Sequence, residues 1–303
     1  MPIMPLRCFC NVERRFCRNA LAKVMPIQSS IALAVSCAQG RSQARFSDQS
    51  SSFRFSSPFE TGIKQPMDTK PKNLPDAADF AHVSEWVFDL DNTLYPHHVN
   101  LFSQIDRNMT AYVAELLKLD PEEARVLQKR YYHDHGTTLQ GLMINYGISP
   151  DEFLERAHAI DYSALKPHPE LGEAIKALPG RKFILTNGSV KHAQAAAGAL
   201  GILDHFEDIF DIVAANYLPK PASATYEKFA ALAKLDTKKA AMFEDLPRNL
   251  AAPKALGMKT VLLVPSNLEG VIMERWEIPD VTDEHIDYIT DDLTGFLAKT
   301  IAR

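Results

Sequence analysis

Beyond residue 66 the chain has no cysteine: all four, Cys8, Cys10, Cys17 and Cys37, lie near the amino terminus. Disulfides therefore cannot hold the remainder together, and the C-x-C and C-x6-C spacings match no zinc pattern. Long apolar runs are also missing. Stretches such as Ile31 to Val35 and Val261 to Val264 fall far short of the ~20 residues a membrane-spanning helix needs, so no membrane partner is expected. There is no basic surplus either: 33 Lys and Arg stand against 38 Asp and Glu, a net charge of -5 that disfavours a protein coating a nucleic acid polymer. No internal repeat is visible. What is present, 303 residues that are 46% hydrophobic and 23% charged, suffices for the core of one large globular domain or two modest ones.

The mild net charge conceals two unlike pieces. Residues 1–66 carry nine Lys and Arg against three acids, a charge of +6, with a Ser-rich run around Ser47 to Ser57. The other 237 residues carry 24 basic and 35 acidic side chains, a charge of −11. Arg-rich, Ser-rich and acid-poor sequence suits an organelle transit peptide, a disordered arm, or upstream sequence translated from a start assigned too early. The last is favoured, because Met67-Asp68-Thr69-Lys70 makes a natural start ahead of the first organised segment. A secretory signal fits poorly, since Gln28, Ser29 and Ser30 would break its apolar core. The expected location is the cytoplasm, or an organelle if residues 1–66 are a transit peptide.

From Met67 onward, short apolar runs alternate with longer amphipathic stretches, the pattern of a parallel sheet wrapped by helices. Strands are expected at Glu85–Leu90, Lys182–Thr186, Ile209–Ala214, Ala240–Glu244, Lys259–Val264 and His285–Ile289, with helices at about 169–178, 190–200, 222–234 and 247–256. The fold class is therefore α/β, a doubly wound, Rossmann-like parallel sheet. One connection is too long for a crossover: Asn92 to Pro167 spans about 75 residues where a dozen or so suffice. It reads as helices at roughly 99–118, 121–134, 138–146 and 150–160, with Asp120-Pro121-Glu122-Glu123 and Ser149-Pro150-Asp151-Glu152 as helix starts. Residues 97–165 are thus expected to form an inserted α-helical cap domain, and 67–96 with 166–303 the core. A lid inserted there would cover the carboxyl ends of the strands, where open α/β sheets bind ligands.

Four strand ends carry chemistry. Asp89-Leu90-Asp91-Asn92-Thr93 follows Trp86-Val87-Phe88, so two carboxylates at i and i+2 project to one side of extended backbone. Phe183-Ile184-Leu185 ends in Thr186-Asn187-Gly188-Ser189, a hydroxyl and backbone N–H groups at a helix start that suit a phosphate; Ser189 is an ordinary N-cap in either case. Lys220, between Pro219 and Pro221, could aim a charge inward, although taken alone it reads as an exposed loop lysine. Ala240-Ala241-Met242-Phe243 ends in Glu244-Asp245, followed by Asn249, and adjacent acids repel unless a cation or base sits close.

In a doubly wound sheet these four ends converge on one crevice. Together they resemble the haloacid dehalogenase (HAD) superfamily, with its DxDx[TV] loop, its Thr or Ser, its Lys and its acidic pair, in this order across residues 85 to 265. The insertion resembles that superfamily's helical cap. The resemblance implies that Asp89 is the nucleophile forming an aspartyl-phosphate and Asp91 the acid/base. It implies Mg²⁺ held by Asp89, the backbone carbonyl of Asp91 and Asp245, with Glu244 and Asn249 near it, and a phosphoryl group bound by Thr186, Asn187, Gly188 and Lys220. Relatives that release halide lack the second Asp, so Asp91 favours phosphoryl transfer. More narrowly, Phe88 to Pro96 and Tyr131-Tyr132-His133-Asp134-His135-Gly136-Thr137-Thr138-Leu139-Gln140-Gly141-Leu142 look like the pyrimidine 5'-nucleotidase branch. The expected partner is a small-molecule phosphate ester, a pyrimidine nucleoside monophosphate. Tyr131, Gly136, Leu139 and Leu142 are expected to pack or cap, and Tyr132, His133, Thr137, Thr138, His97 and His98 to face the nucleoside. The alternatives are a phosphatase for phosphoglycolate or a sugar phosphate, a β-phosphoglucomutase-like mutase, and a silent binding relative, which would usually have lost Asp89 or Asp91.

Overall fold

The computed structural model describes residues 75–266 and 283–301, so the basic extension expected over 1–66 lies outside the described residues. The described residues fall in one compact unit. Six strands, β1 (Glu85–Phe88), β2 (Arg181–Leu185), β3 (Asp208–Phe210), β4 (Ala240–Glu244), β5 (Lys259–Leu263) and β6 (Tyr288–Thr290), form one sheet in the order β3-β2-β1-β4-β5-β6. Every pairing is parallel. The order reverses at β1, so the crevice between β1 and β4 is the topological switch point where such sheets bind ligands.

Both faces of the sheet are covered, as all-parallel sheets require. Trp86, Phe88 and Phe243 pack in one buried cluster, and Val87, Phe183, Leu185 and Met242 in another on the opposite face. The division follows the two-residue period of a strand. The helices α6 (Pro169–Ala177), α7 (Val190–Leu200), α8 (Ser223–Ala233) and α9 (Ala251–Ala255) lie where the sequence pattern places them. Two further helices, α1 (Ala77–Phe80) and α10 (Leu293–Thr300), were not anticipated; Phe80 and Phe296 enter the Trp86 cluster from them.

Four strands are shorter than expected: β1 ends at Phe88 and not Leu90, β5 at Leu263 and not Val264, and β3 and β6 are cut back further, each for a local reason. β3 ends at Phe210 because the Asp211 carboxylate accepts from the Val190 and Ala214 N–H groups, at 2.9 and 2.8 Å, and turns the chain. Before β6, Asp287 spends its side chain on the Thr260 N–H at 3.0 Å and on Lys254, tying the approach to the neighbouring strand.

Between β1 and α6 the chain forms α2 (Leu101–Leu117), α3 (Pro121–His135), α4 (Thr138–Tyr146) and α5 (Pro150–Ala157), inside the 97–165 stretch expected to be a cap. Asp120 caps α3 through two backbone N–H groups, each at 2.9 Å, with Pro121 at the first position. Tyr131, Leu139 and Leu142 pack into the helical core with Ile105, Tyr112 and Phe153, and Ile212 joins them from the loop after β3. Gly136 ends α3 at φ 81°, where a Cβ would lie 2.9 Å from Pro219 Cγ and 3.2 Å from the Lys220 carbonyl oxygen. Only glycine permits both that backbone and that approach. Gly136→Ala is expected to lower stability by about 1–2 kcal/mol and to disturb the Lys220 loop. Chemical denaturation checks the first; an unchanged midpoint would contradict the assignment.

Candidate active site

Asp89 and Asp91 leave the carboxyl end of β1, and the Asp89 N–H still bonds the Phe243 carbonyl at 2.9 Å, so the sheet fixes the first carboxylate. The register that pairs Phe88 with Phe243 brings Asp89 beside Glu244 on the adjacent strand. Between them sits Lys220. Its Nζ donates to Asp89 Oδ1 at 2.6 Å, to Glu244 Oε2 at 2.8 Å and to the Leu185 carbonyl oxygen at 3.0 Å. An ammonium group has three N–H donors, and each has an acceptor. The residue is 2% exposed, not the surface lysine that its loop suggests in isolation. Nor does it sit at a strand end. It arrives on the ten-residue path from the end of β3 and is held by Asn187, whose Oδ1 accepts from the Lys220 N–H at 2.8 Å and whose Nδ2 donates to the Lys220 carbonyl at 3.2 Å.

Asn187 is expected to contact a phosphoryl group; its Oδ1 and one Nδ2 hydrogen are spent on this tie between loops, which leaves the second Nδ2 hydrogen to donate in the cavity that the residue lines. Thr186 is buried, and its Oγ1 accepts from the Gly188 N–H at 2.9 Å. With that lone pair engaged, the hydroxyl proton is left to donate. Glu244 also serves the protein: its Oε1 accepts from Asn249 Nδ2 at 2.8 Å, so its two oxygens hold Lys220 and Asn249.

Asp89, Glu244 and Asp245 bring carboxylate oxygens within 4.8 Å of one another, all three residues being buried. Burial first, and repulsion from Glu244 second, push the Asp89 carboxyl up to about 8, against the pull of Lys220. Lys220 itself is lowered by burial, but the two carboxylates outweigh this and its pKa rises. One cation is therefore too little for the negative charge gathered there. Asn249 Oδ1 is buried with no hydrogen-bond partner among the described residues. Few carboxylates around an orphaned acceptor fit a hydrated divalent cation, which keeps several of its waters. Asp89 and Asp245 would hold it directly, and Asn249 Oδ1 could receive a proton of a bound water.

Asp91 stands outside that cluster. Its Oδ1 accepts from His192 Nε2 at 2.8 Å and from the Tyr95 hydroxyl. Burial alone would raise its carboxyl, but His192 and Tyr95 outweigh burial and hold it near 2. The carboxylate thus faces His192, and a part in metal binding would fall to its backbone carbonyl, as the resemblance implies.

Asp89, Asp91, Thr186, Asn187, Lys220, Glu244, Asp245 and Asn249 line one cavity of about 530 Å³, which continues into the helical insertion, whereas His192 and Tyr95 do not reach it. Of the residues expected to face a substrate, His97, Tyr132, Thr137 and Thr138 line it. His133 and His98 do not. His133 is exposed beside Asp134 at 2.8 Å, and His98 borders a separate, smaller cavity. His97 approaches Asp245 at 3.8 Å, yet burial and then His98 lower its pKa to about 4, so the ring is neutral and this is no ion pair. The far end of the cavity carries a group that the sequence pattern did not flag. Asp106 accepts from Arg125 Nη1 at 2.7 Å, Gln128 Nε2 at 2.7 Å and Lys129 Nζ at 2.8 Å, and all four residues line the space. Also missed were Tyr95, four residues after Asp91, and His192, three after the N-cap Ser189. Those offsets are the only sequence signals they carry.

A family model described as haloacid dehalogenase-like hydrolase matches residues 87–257. The chain belongs to this family. Among curated proteins it is similar to "Phosphate metabolism protein 8" of Saccharomyces cerevisiae, 30% identical over 151 residues that make up 46% of each chain. The chain thus matches about half the length of that relative. Similar solved structures include the L-2-haloacid dehalogenase from Xanthobacter autotrophicus, at 15% identity over 71% of this chain and 97% of that one, TM-score 0.47. Another is a HAD phosphatase from Thermococcus onnurineus, at 17% identity over 61% of this chain and 88% of that one, TM-score 0.43.

Next to Asp91's partner lies His158, whose ring stacks on His192 with centroids 4.5 Å apart. Burial and then His192 lower the His158 pKa to about 4. Below its unfolded value of ~6.5 the unfolded chain binds the proton and the folded chain does not, so stability falls as pH drops from about 6.5 towards 4. Relative to the parent, His158→Gln should gain roughly 3 kcal/mol over that window. Denaturant titrations at pH 7 and pH 4.5 measure this; parallel losses in both proteins would refute a neutral, buried His158.

Proposed function

We propose that the chain is a Mg²⁺-dependent phosphomonoesterase that hydrolyses pyrimidine nucleoside 5'-monophosphates through an aspartyl-phosphate on Asp89. One observation carries the phosphatase reading: two carboxylates two residues apart are held for different tasks. Asp89 is locked against Lys220 and the acidic cluster, whereas Asp91 is turned aside with a separate set of donors.

In this reading a carboxylate oxygen of Asp89 attacks phosphorus, and the bond to the ester oxygen breaks. Asp91 gives its proton to that departing oxygen. At rest Asp91 is ionised, and the arrival of a phosphate dianion beside it raises its proton affinity, as any nearby like charge does. Asp91 then takes a proton from water as the water's oxygen attacks the aspartyl-phosphate, releasing phosphate and restoring Asp89. Lys220 and the Thr186 hydroxyl stabilise the charge on the transferring group, and Asn187 keeps Lys220 in place. Bound at Asp89 and Asp245, Mg²⁺ would neutralise the repulsion between carboxylate and phosphate.

The nucleotide part of the proposal is supported by the cavity's size, which exceeds what a phosphate group fills, and by Tyr132, Thr137, Thr138 and Lys129 along it. The Arg248 guanidinium lies 4.8 Å from the Tyr132 ring centroid, which would hold that ring as a platform for a base. The name of the Saccharomyces cerevisiae relative, with its reference to phosphate metabolism, supports a phosphate-ester substrate.

Asp89→Asn should lower kcat by at least about a thousandfold with the melting temperature retained; residual turnover near the parent value would remove Asp89 from the nucleophile's role. Chelation with EDTA should abolish turnover and added Mg²⁺ restore it. Assayed over a panel of nucleoside monophosphates, phosphoglycolate and sugar phosphates, the protein should show its highest kcat/KM with UMP and CMP. Preference for AMP and GMP, or for the smaller metabolites, would overturn the pyrimidine assignment and leave the family membership standing.

A further inference from the structure

His192 has a side chain fully shielded from solvent. One face of its ring and both nitrogens are specified. His158 stacks on one face, 4.5 Å between centroids and 10° from parallel, and is itself held through Nδ1 to Ser189 Oγ at 3.2 Å. Gly188 leaves room at the edge: a Cβ there would stand 3.1 Å from His192 Cδ2. The Tyr162 hydroxyl meets Nδ1 at 2.9 Å, and Nε2 meets Asp91 Oδ1 at 2.8 Å. A carboxylate oxygen can only accept, so Nε2 carries a proton that points at Asp91, and the Tyr162 hydroxyl meets the other ring nitrogen. The Tyr95 hydroxyl reaches the same oxygen. Among the described residues no donor reaches Oδ2.

We infer that His192, aligned by Tyr162, is a positioning residue that pins Asp91 Oδ1 so that Oδ2 alone is presented to the ester oxygen and to the attacking water. This rests on Asp91 being the acid/base. The physical reason is geometric. A carboxylate at a loop start can rotate about its terminal torsion at little cost, and a group that must meet the leaving oxygen within hydrogen-bond reach gains from being locked. Two donors on one oxygen fix both the torsion and the identity of the working oxygen, while the protein-facing side is closed by a ring that cannot tilt. Neither His192 nor Tyr162 lines the cavity, so both act through Asp91.

The test uses the full chain with Mg²⁺ and first-turnover rates on two esters: p-nitrophenyl phosphate, whose leaving group scarcely needs a proton, and the alkyl phosphate the protein hydrolyses best. His192→Leu should raise the ratio of the two rates, aryl over alkyl, by about 30-fold, with KM for the alkyl ester changed less than about threefold. His192→Gln, which returns an N–H to the same place, should bring the ratio back to within about threefold of the parent. Tyr162→Phe, which removes one partly buried hydroxyl and leaves the ring in place, should raise the ratio by about three- to tenfold and so decides the matter if His192→Leu does not fold. Equal losses on both esters, a change carried by KM, or no rescue by Gln would each overturn the positioning role. Asp91→Asn is the control: if it fails to discriminate between the esters, the acid/base reading itself falls, a result distinct from failure of His192.

Discussion

The buried ammonium of Lys220 is the constraint around which the site is arranged. Taking a lysine out of water is costly unless acceptors replace its hydration, and here three do: Asp89, Glu244 and the Leu185 carbonyl. Those acceptors come from three neighbouring strands, so the charge can be satisfied only when β2, β1 and β4 are in their native register. The loop carrying Lys220 is gripped from one side by Asn187 and approached from the other by Gly136 of the helical insertion. A single cation thereby links the sheet, the loop after β3 and the inserted helices.

That cation is outnumbered. Asp89, Glu244 and Asp245 crowd around it, and the raised proton affinity of Asp89 expresses the imbalance. A site with surplus buried negative charge binds something positive, whether protons or a metal. The same imbalance explains how a segment of charge −11 can face an anionic ester: what the substrate meets is the local field of Lys220 and a bound cation, not the sum over the surface.

Asp91 illustrates a second principle, that two identical side chains at one strand end acquire different chemistry from their neighbours. Burial acts on both. Asp89 has other carboxylates around it and is pushed up to about 8, whereas Asp91 has an imidazole and a phenol and is held near 2. The i, i+2 spacing brings them together, and their partners separate them.

Much of this was legible in the residues. The alternation of apolar runs and amphipathic stretches determines six strands and their helices, because burying both sheet faces leaves few other patterns. Asp89, Asp91, Thr186 and Glu244-Asp245 could be placed because each follows such a run, where the strands of a doubly wound sheet end in one crevice. The tertiary structure decided the rest. Lys220 lies ten residues beyond β3, and nothing local distinguishes it from a surface lysine until distant carboxylates are brought to it. Asn187 became a tie between loops, His133 and His98 turned away from the cavity, and His192, Tyr162 and the Asp106 cluster entered the site across separations of 101, 30 and about 20 residues. Periodicity records which side of an element is buried. It does not record which residue of another element comes to meet it, and the hydrogen bonds and pKa values of this site depend on those meetings.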